Sequence, residues 1–449
     1  MALKRRGIAV IPFKKGPDYI DAAWLSQAAS VSCHNLDTFL MGTAEVVRSF
    51  SRNVRENGIA LIEGNRGLYD GVNVGGEFST AELAKLLNTP VILVVDCDKI
   101  TRTAAALVLG CCHLDQAVDI RGVILSRVGS SRHAEVIKQS IKDYCHLPVF
   151  GVVPRLNDLP FTERHLGLIP PQEHCGIQEA LSKAATIAEE YLDIEGLIRV
   201  AESAPPWQKD GSSRIADFDK ASLSKVSIGV IRDAAFQFYY PENLAALVQR
   251  GARLIEINAL EARELPQIDV LYIGGGFPET QAKRLADNEQ FRLSLGRAAR
   301  QGLPVYAECG GLMYLGKSLT IGENCYPMVG ALPVDFGIEK RPQGHGYICL
   351  EVDRENPFFP VGTKLKGHEF HYGRILSRKK EDEVDTVFHI LRGTGMGKER
   401  DGMVRNNILA GFTHLHALGT PEWAEALISA GLRFKNGRNN LIPLLRDER

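Results

Sequence analysis

Short apolar runs rich in β-branched residues recur along this chain, and the intervals between them are long enough to hold a helix. We identify five such runs in the first half and four in the second, at residues 8–13, 59–63, 91–96, 122–125, 149–153, 226–231, 253–257, 270–273 and 303–307. This spacing is typical of parallel strands joined by crossover helices that cover both faces of a sheet. It predicts an α/β fold in which each of two domains has a mainly parallel sheet flanked by helices.

The regular pattern is interrupted between residues 196 and 225, where Pro205-Pro206 and Gly211-Ser212-Ser213 occur among mixed charges. A chain of 449 residues is also too long for one ordinary hydrophobic core. We therefore predict a first domain over residues 1–195, a linker over residues 196–225 and a second domain over residues 226–449.

Charge and cysteine usage restrict the classes of partner and compartment. The formal net charge is −1, so nothing favours nucleic acid or an anionic membrane as a partner. The nine cysteines form no Cys-x-x-Cys pair, which argues against zinc and disulfide frameworks, and their odd number favours a reducing compartment. Since the N-terminus also lacks the apolar core of a signal peptide, we expect a cytoplasmic protein.

A cysteine between a strand and a glycine pair is the strongest chemical signal in the second half. Cys309 follows the run 303–307 and precedes Gly310 and Gly311, which open an apolar helix. A side chain on such a turn projects clear of the sheet, and the helix N-terminus favours the thiolate over the thiol. The sequence therefore predicts a cysteine nucleophile whose sulfur is not walled in by packing; the alternative is a buried structural cysteine.

A nucleophile of this kind needs an oxyanion hole and a base. The glycine loop after the run 270–273 offers the amides of Gly275 and Gly276, and Gly310 offers another. His414 and His416 lie two residues apart in a predicted strand over residues 408–416, so both imidazoles share a face. We expect His414 to act as the base, with His416 behind it, within about ten ångströms of the sulfur; the alternative is a structural role for both.

Acidic residues follow two strands of the first half. Asp18 and Asp21 come after a lysine pair, and Glu63 ends the run 59–63 and precedes a glycine-rich loop that contains Asp70. Carboxylates at the carboxyl ends of parallel strands suit a magnesium and phosphate site, with Glu63 as a metal ligand. The alternatives are a solvated turn or helix cap for Asp18 and Asp21, and ordinary turn chemistry for Glu63 and Asp70.

Three apparent motifs are weaker. The segment 311–318 matches a phosphate loop in form, but residues 312–315 are bulky and apolar and favour a buried helix turn. The segment 368–371 is one residue short of His-Glu-x-x-His, so we predict a short strand beside the active site and no zinc-protease centre. The glycines at 274–276 lack the spacing of a dinucleotide-binding turn.

Seven collinear segments together resemble the cobyrinate a,c-diamide synthase family over nearly the whole chain, at residues 14–21, 63–71, 163–167, 274–279, 307–314, 367–372 and 413–416. The resemblance implies an ATP-binding domain similar to dethiobiotin synthetase, followed by a class I glutamine amidotransferase domain of flavodoxin-like form. Members of the family usually open with a strand and a glycine-rich phosphate loop, which we do not find near the start of this sequence.

The resemblance also implies a reaction. Cys309 would release ammonia from glutamine, and the first domain, with ATP and Mg²⁺, would phosphorylate the a and c acetates of cobyrinic acid so that ammonia can displace the phosphate. The family positions assign Asp21 and Glu63 to the metal, and Asp18, Tyr19 and Asp70 to substrate. We expect small-molecule partners (a corrin precursor, glutamine and ATP), no nucleic acid, no membrane, and a homodimer as a candidate assembly.

Two alternatives stay open within this resemblance. The same amidation could act on hydrogenobyrinic acid or nickel-sirohydrochlorin, because the reacting acetate groups are alike. A chain without a working phosphate loop could instead retain only glutaminase or binding function.

Overall fold

The computed structural model describes residues 1–156, 161, 163–164, 167–207, 226–377 and 384–444. The chain divides into two compact units, one made of Met1–Thr38 and Gly42–Ser213 and the other of Phe39–Met41 and Arg214–Arg449. The segment predicted as a linker begins with a helix up to residue 202, and most of its remainder lies outside the described residues. The motif at residues 163–167 also lies partly outside them.

The first unit alternates strands and helices. Its strands are β1 Ala9–Lys15, β2 His34–Leu36, β3 Gly58–Glu63, β4 Val91–Asp96, β5 Ile120–Val128, β6 Val149–Pro154, β7 Glu163–Arg164 and β8 Gly167–Leu168. Its helices are α1 Ala2–Arg5, α2 Ile20–Ala29, α3 Gly42–Asn53, α4 Thr80–Leu87, α5 Thr103–Leu114, α6 Ser131–Cys145, α7 Ile177–Tyr191 and α8 Ile194–Glu202, with a 3₁₀ turn at Pro171–Glu173. Ser79 and Ser130 cap α4 and α6 by accepting hydrogen bonds from amides three residues ahead.

The strands β1 to β6 form two parallel three-stranded sheets, in the orders β2-β1-β3 and β4-β5-β6, where one sheet was expected. Among the described residues, β3 pairs only with β1 and β4 pairs only with β5, so each is an edge strand of its sheet. Apolar side chains on these two edge strands are consequently uncovered: Leu61 on β3 is 47% exposed and Val94 on β4 is 70% exposed. The cores lie on the covered faces, as for Val123 and Leu125 of β5, which are fully buried.

The second unit is richer in strands. These are β9 Ser227–Ile231, β10 Arg253–Ile257, β11 Val270–Ile273, β12 Val305–Glu308, β13 Ser318–Ile321, β14 Asn324–Pro327, β15 Asp335–Ile338, β16 Gly344–Val352, β17 Lys364–His371, β18 Gly373–Ser377, β19 Asp385–Arg392, β20 Arg400–Arg405, β21 Ile408–Gly411 and β22 His414–Leu415. The helices are α9 Pro241–Gln249, α10 Ala282–Asp287, α11 Glu289–Arg300, α12 Gly310–Leu315 and α13 Glu422–Leu444, with a 3₁₀ turn at Pro278–Gln281.

One ten-stranded sheet organises this unit, in the order β10-β9-β11-β12-β21-β20-β19-β16-β17-β22. The strands from β10 to β21 are parallel and the rest are antiparallel. The unit also contains a separate four-stranded sheet, in the order β14-β13-β15-β18. Trp423 on α13 is fully buried and contacts the rings of Tyr272 and Tyr306, which fixes this helix on the parallel strands.

Register determines which residues meet at the carboxyl edge of the sheet. Ile273 of β11 pairs with Ala307 of β12, so the chain leaves these strands at Gly274 and Glu308 side by side. Glu308 pairs in turn with Gly411 of β21. The predicted strand ends are therefore neighbours, as parallel strands require. In the part of the chain that is described, no helix combines the length and apolarity needed to cross a membrane.

Candidate active site

Cys309 occupies a sharp turn between β12 and α12. Its backbone has φ of 49° and ψ of −98°, a conformation that side chains other than glycine rarely adopt. The Cys309 amide donates to the Gly411 carbonyl (2.7 Å), and its carbonyl accepts from the Met313 amide (3.1 Å), which anchors both sides of the turn. Backbone strain of this kind is retained when the surroundings impose it, and it is concentrated at functional sites.

The sulfur is enclosed, contrary to the expectation of an accessible side chain. Cys309 is 4% exposed and belongs to an apolar cluster that includes Leu312 and Met313. Burial raises the pKa of the Cys309 thiol, and the charge of Glu279 adds to this effect, while a hydrogen bond from the Gly310 amide opposes it. A helix N-terminus favours the thiolate, whereas burial of Cys309 acts in the opposite direction, so the predicted thiolate character stays a prediction.

The predicted oxyanion glycines lie against one another. A Cβ added at Gly310 would lie 3.0 Å from Cδ of Pro278 and 3.1 Å from the Gly276 amide nitrogen, so a larger residue would require the neighbouring segment to shift. The glycine loop is itself held in place, because the Gly275 carbonyl accepts from the amides of Gln237 and Phe238, each at 3.0 Å. The structure thus brings Gly275, Gly276 and Gly310 together beside the cysteine turn.

Tyr239 supports this loop in a way that the sequence analysis did not identify. Its hydroxyl accepts a hydrogen bond from the Gly274 amide (2.8 Å) and donates to the Ile231 carbonyl. The signal available in the sequence was only an aromatic pair after a strand, which is equally typical of core packing.

His414 approaches the same loop from the other side. A Cβ added at Gly275 would lie 2.4 Å from Cε1 and 3.3 Å from Nε2 of His414. The predicted single strand over residues 408–416 is wrong: β21 ends at Gly411, and β22 pairs with β17 instead. The chain bends because the buried carboxylate of Asp401 accepts from the Phe412 amide and from both the amide and the hydroxyl of Thr413.

The two predicted histidines have different partners. His414 Nδ1 lies 3.5 Å from Oε2 of Glu308, and both side chains are almost fully buried. His416 lies outside β22; its Nδ1 accepts from the Leu418 amide (3.2 Å) and its Nε2 is 3.6 Å from Glu242. These contacts give no support to the prediction that His416 orients His414.

The histidines of β17 are part of the packing around this site. The His368 ring is stacked on that of His414, with centroids 4.8 Å apart and planes at 15°. His371 stacks on Phe412 and lies 3.6 Å from Glu369, which accepts from the amides of Thr394 and Gly395. The described residues contain no cluster of three or more ligands that could hold a metal. The segment 368–371 is thus part of a strand beside the site, as predicted.

In the first unit, two predicted metal ligands meet at one buried cation. Lys14, which is 3% exposed, has its Nζ 2.9 Å from Asp21 and 3.5 Å from Glu63. Burial by itself lowers the pKa of Lys14. The negative charges of Glu63 and Asp21 outweigh this effect, so the pKa of Lys14 is raised. Two convergent carboxylates are a donor set that Mg²⁺ accepts when phosphates and water complete its shell, so the residues fit the metal that the family implies.

Asp18 has the local role that its alternative interpretation predicted. Its Oδ1 accepts from the Asp21 amide (2.9 Å), which closes the turn just before α2, whose N-cap residue is Tyr19. Burial and the charge of Asp21 raise the pKa of Asp18. Asn35, which the sequence analysis did not select, fixes the loop by donating to the carbonyls of Gly16 and Asp18, both at 2.8 Å.

The two other predicted substrate residues differ in exposure. Tyr19 is partly buried at the N-terminus of α2, whereas Asp70 is exposed. Asp70 closes a turn, because its carboxylate accepts from the Gly67 amide (2.9 Å) and its own amide donates to the Gly67 carbonyl (3.1 Å). A role for Asp70 toward substrate stays a prediction.

Two family models each match one part of this chain. Residues 227–422 match the model of a CobB/CobQ-like glutamine amidotransferase domain, and residues 19–162 match the model of an AAA domain. A cobyrinate a,c-diamide synthase from Magnetococcus marinus is 40% identical over 430 residues, which cover 95% of this chain and 91% of the relative. One from Archaeoglobus fulgidus is 39% identical over 435 residues, which cover 96% of this chain and 93% of the relative.

A solved structure, PurLQS from Thermotoga maritima, overlaps 47% of this chain and 99% of its own, with 17% identity and a TM-score of 0.37. A score of this size supports no conclusion about the present chain. The similarity to the two synthases extends through both units.

Proposed function

Because this chain belongs to the cobyrinate a,c-diamide synthase family, we propose that it transfers nitrogen from glutamine to the a and c acetate side chains of cobyrinic acid, with ATP as co-substrate. The observation that carries the proposal is similarity to synthases of that name over 95% of the chain. Because two matched domains lie in one chain, it follows that glutaminase and ATP-dependent chemistry are combined. The reaction is a carbon–nitrogen ligation in cobalamin biosynthesis.

In the glutaminase half, the Cys309 thiol gives its proton to Nε2 of His414 as the sulfur attacks the carboxamide carbon of glutamine. The amides of Gly275, Gly276 and Gly310 donate to the oxyanion that forms. His414 then returns this proton to the amino group of the tetrahedral intermediate, the C–N bond breaks and ammonia leaves, and water hydrolyses the resulting thioester to glutamate and the free thiol. Support comes from the strained Cys309 turn and from the contact of His414 with the glycine loop. Since the resting thiol is buried, the base has to remove its proton during the reaction.

In the ligase half, each acetate must be activated, because a carboxylate is a poor electrophile at neutral pH. Transfer of the γ-phosphoryl group of ATP gives an acyl phosphate, from which ammonia displaces phosphate. The buried ammonium of Lys14 offers positive charge for this transfer, and Asp18, Tyr19 and Asp70 are the residues we assign to substrate.

Asp21 and Glu63 are the residues that would hold Mg²⁺. When bound, the metal would supply charge neutralisation at the transferred phosphoryl group. Lys14 lies between the two carboxylates and keeps them close to each other without the metal.

The test is an assay of the full chain with cobyrinic acid, glutamine, ATP and MgCl₂, in which we expect one ADP, one phosphate and one glutamate per amide formed. Parallel reactions with hydrogenobyrinic acid and nickel-sirohydrochlorin distinguish the two alternative substrates. Glutamate release without ADP in all three reactions would contradict the ligase assignment and leave a glutaminase. A cytoplasmic location and a homodimer stay predictions.

A further inference from the structure

A carboxylate directly before the proposed nucleophile is buried among polar partners. Glu308, the last residue of β12, is 1% exposed. Its Oε1 accepts from the Leu415 amide (3.2 Å), its Oε2 accepts from the Tyr272 hydroxyl (3.2 Å), and the Tyr306 hydroxyl also hydrogen-bonds this carboxylate. A charged group buried with several donors is fixed in one orientation.

The remaining neighbour of this carboxylate is His414. Among the described residues, the ion-pair partner of Glu308 is Nδ1 of His414, at 3.5 Å. The opposite edge of the ring, with Cε1 and Nε2, faces Gly275. One imidazole nitrogen therefore faces the carboxylate while the other faces the glycine loop next to Cys309.

We propose that Glu308 is the positioning residue for His414, holding the proton on Nδ1 so that Nε2 carries the lone pair that accepts the thiol proton. The inference rests on the glutaminase half of the proposed function. During attack, the proton moves from the sulfur to Nε2, the sulfur lone pair forms the bond to carbon, and the imidazolium is stabilised across Nδ1 by the Glu308 carboxylate. Glu308 itself neither accepts nor loses a proton.

The other groups packed around His414 do not take this role. His416 is engaged by Leu418 and Glu242, and its ring lies 4.4 Å from that of Tyr240. His368 covers one face of the His414 ring, and burial together with the charges of His414 and His416 lowers its pKa well below the usual value. A neutral ring on the face cannot balance an imidazolium charge, whereas an anion at Nδ1 can.

The test compares Glu308→Gln with the unchanged full-length chain in a glutaminase assay. We expect kcat to fall about 10²- to 10⁴-fold with KM for glutamine within about threefold, because the amide keeps the shape but loses the charge. Glu323→Gln, an exposed glutamate in the same unit, is the matched control.

Two further variants test the inference even if Glu308→Gln folds poorly. Glu308→Asp retains the charge and should recover part of kcat. Glu242→Gln removes the carboxylate beside His416 and should lower kcat by a smaller factor than Glu308→Gln does. An Asp variant no better than the Gln variant, or a Glu242→Gln effect of equal size, would overturn the inference.

Ammonia-dependent amidation by the same variants separates this inference from the proposed function. We expect Glu308→Gln to amidate cobyrinic acid with ammonium chloride and ATP at the rate of the unchanged chain. Normal glutaminase activity in Glu308→Gln overturns only the positioning role, whereas an unchanged chain that does not hydrolyse glutamine overturns the proposed glutaminase itself.

Discussion

Glu308 of the second unit and Glu63 of the first both end a parallel strand and both face a basic side chain, yet their side chains are 1% and 45% exposed, respectively. Glu308 lies at the end of a strand paired on both sides within a ten-stranded sheet, whereas Glu63 ends β3, which pairs on one side only among the described residues. The comparison shows that the Glu308 and His414 side chains are enclosed by the chain's own packing, whereas the Glu63 carboxylate stays partly open to solvent.

The largest expected effect separates the two units. Cys309→Ala removes the proposed nucleophile, so glutamine-dependent amidation should fall about 10³-fold or more. Amidation with ammonium chloride and ATP should continue, because the first unit is untouched. Product formation with each nitrogen source is the measurement, and Cys325→Ala, an exposed cysteine of the same unit, is the control. Unchanged glutaminase activity in Cys309→Ala would show that Cys309 is not the nucleophile.

The reciprocal change is Glu63→Gln, which removes one carboxylate near Lys14. ATP-dependent amidation should drop about 10²-fold or more from either nitrogen source, since charge stabilisation at the phosphoryl group is weakened. Glutamate release in the absence of ATP should be unaffected. Glu56→Gln, at an exposed position just before β3, provides the control; equal losses in both variants would show that Glu63 has no special role.

Enclosure of the Cys309 sulfur can be tested by alkylation. Because burial raises the pKa of the Cys309 thiol, little thiolate exists at pH 7, and its reaction with iodoacetamide should be about tenfold or more slower than that of exposed Cys325. The rate should still rise with pH above pH 9, since deprotonation is incomplete there. Mass spectrometry of each cysteine peptide gives the rates, and a plateau below pH 8 would contradict the direction of the shift.

The smallest expected effect concerns β3 and β4, each of which pairs with one strand only among the described residues. Val94→Lys places a charge where the side chain is 70% exposed, so the free energy of unfolding should change by about 0.5 kcal/mol or less. Val123→Lys, at a fully buried position of β5, should cost several times more. Chemical denaturation of both variants measures the difference. Equal, large losses would show that another strand covers β4.

Much of the site could be predicted because strand ends and glycines have direct sequence signals. An apolar run that ends in Cys-Gly-Gly indicates the turn at Cys309, and the run before Gly274 indicates the loop beside it. His414 and His416 were harder to distinguish, because residues two apart share a face only if the strand continues. Asp401 bends the chain before His414, and that contact spans a sequence separation that no local pattern reveals.

What the sequence determined by itself is the order of strands, turns and reactive side chains, because the apolar period, the glycines and the strand termini depend on neighbours along the chain. What tertiary structure decided is which groups are charged and which face each other. Glu308 reaches His414 through the register of strands that are distant in the sequence. Burial that forms only when the sheet is assembled raises the pKa of the Cys309 thiol.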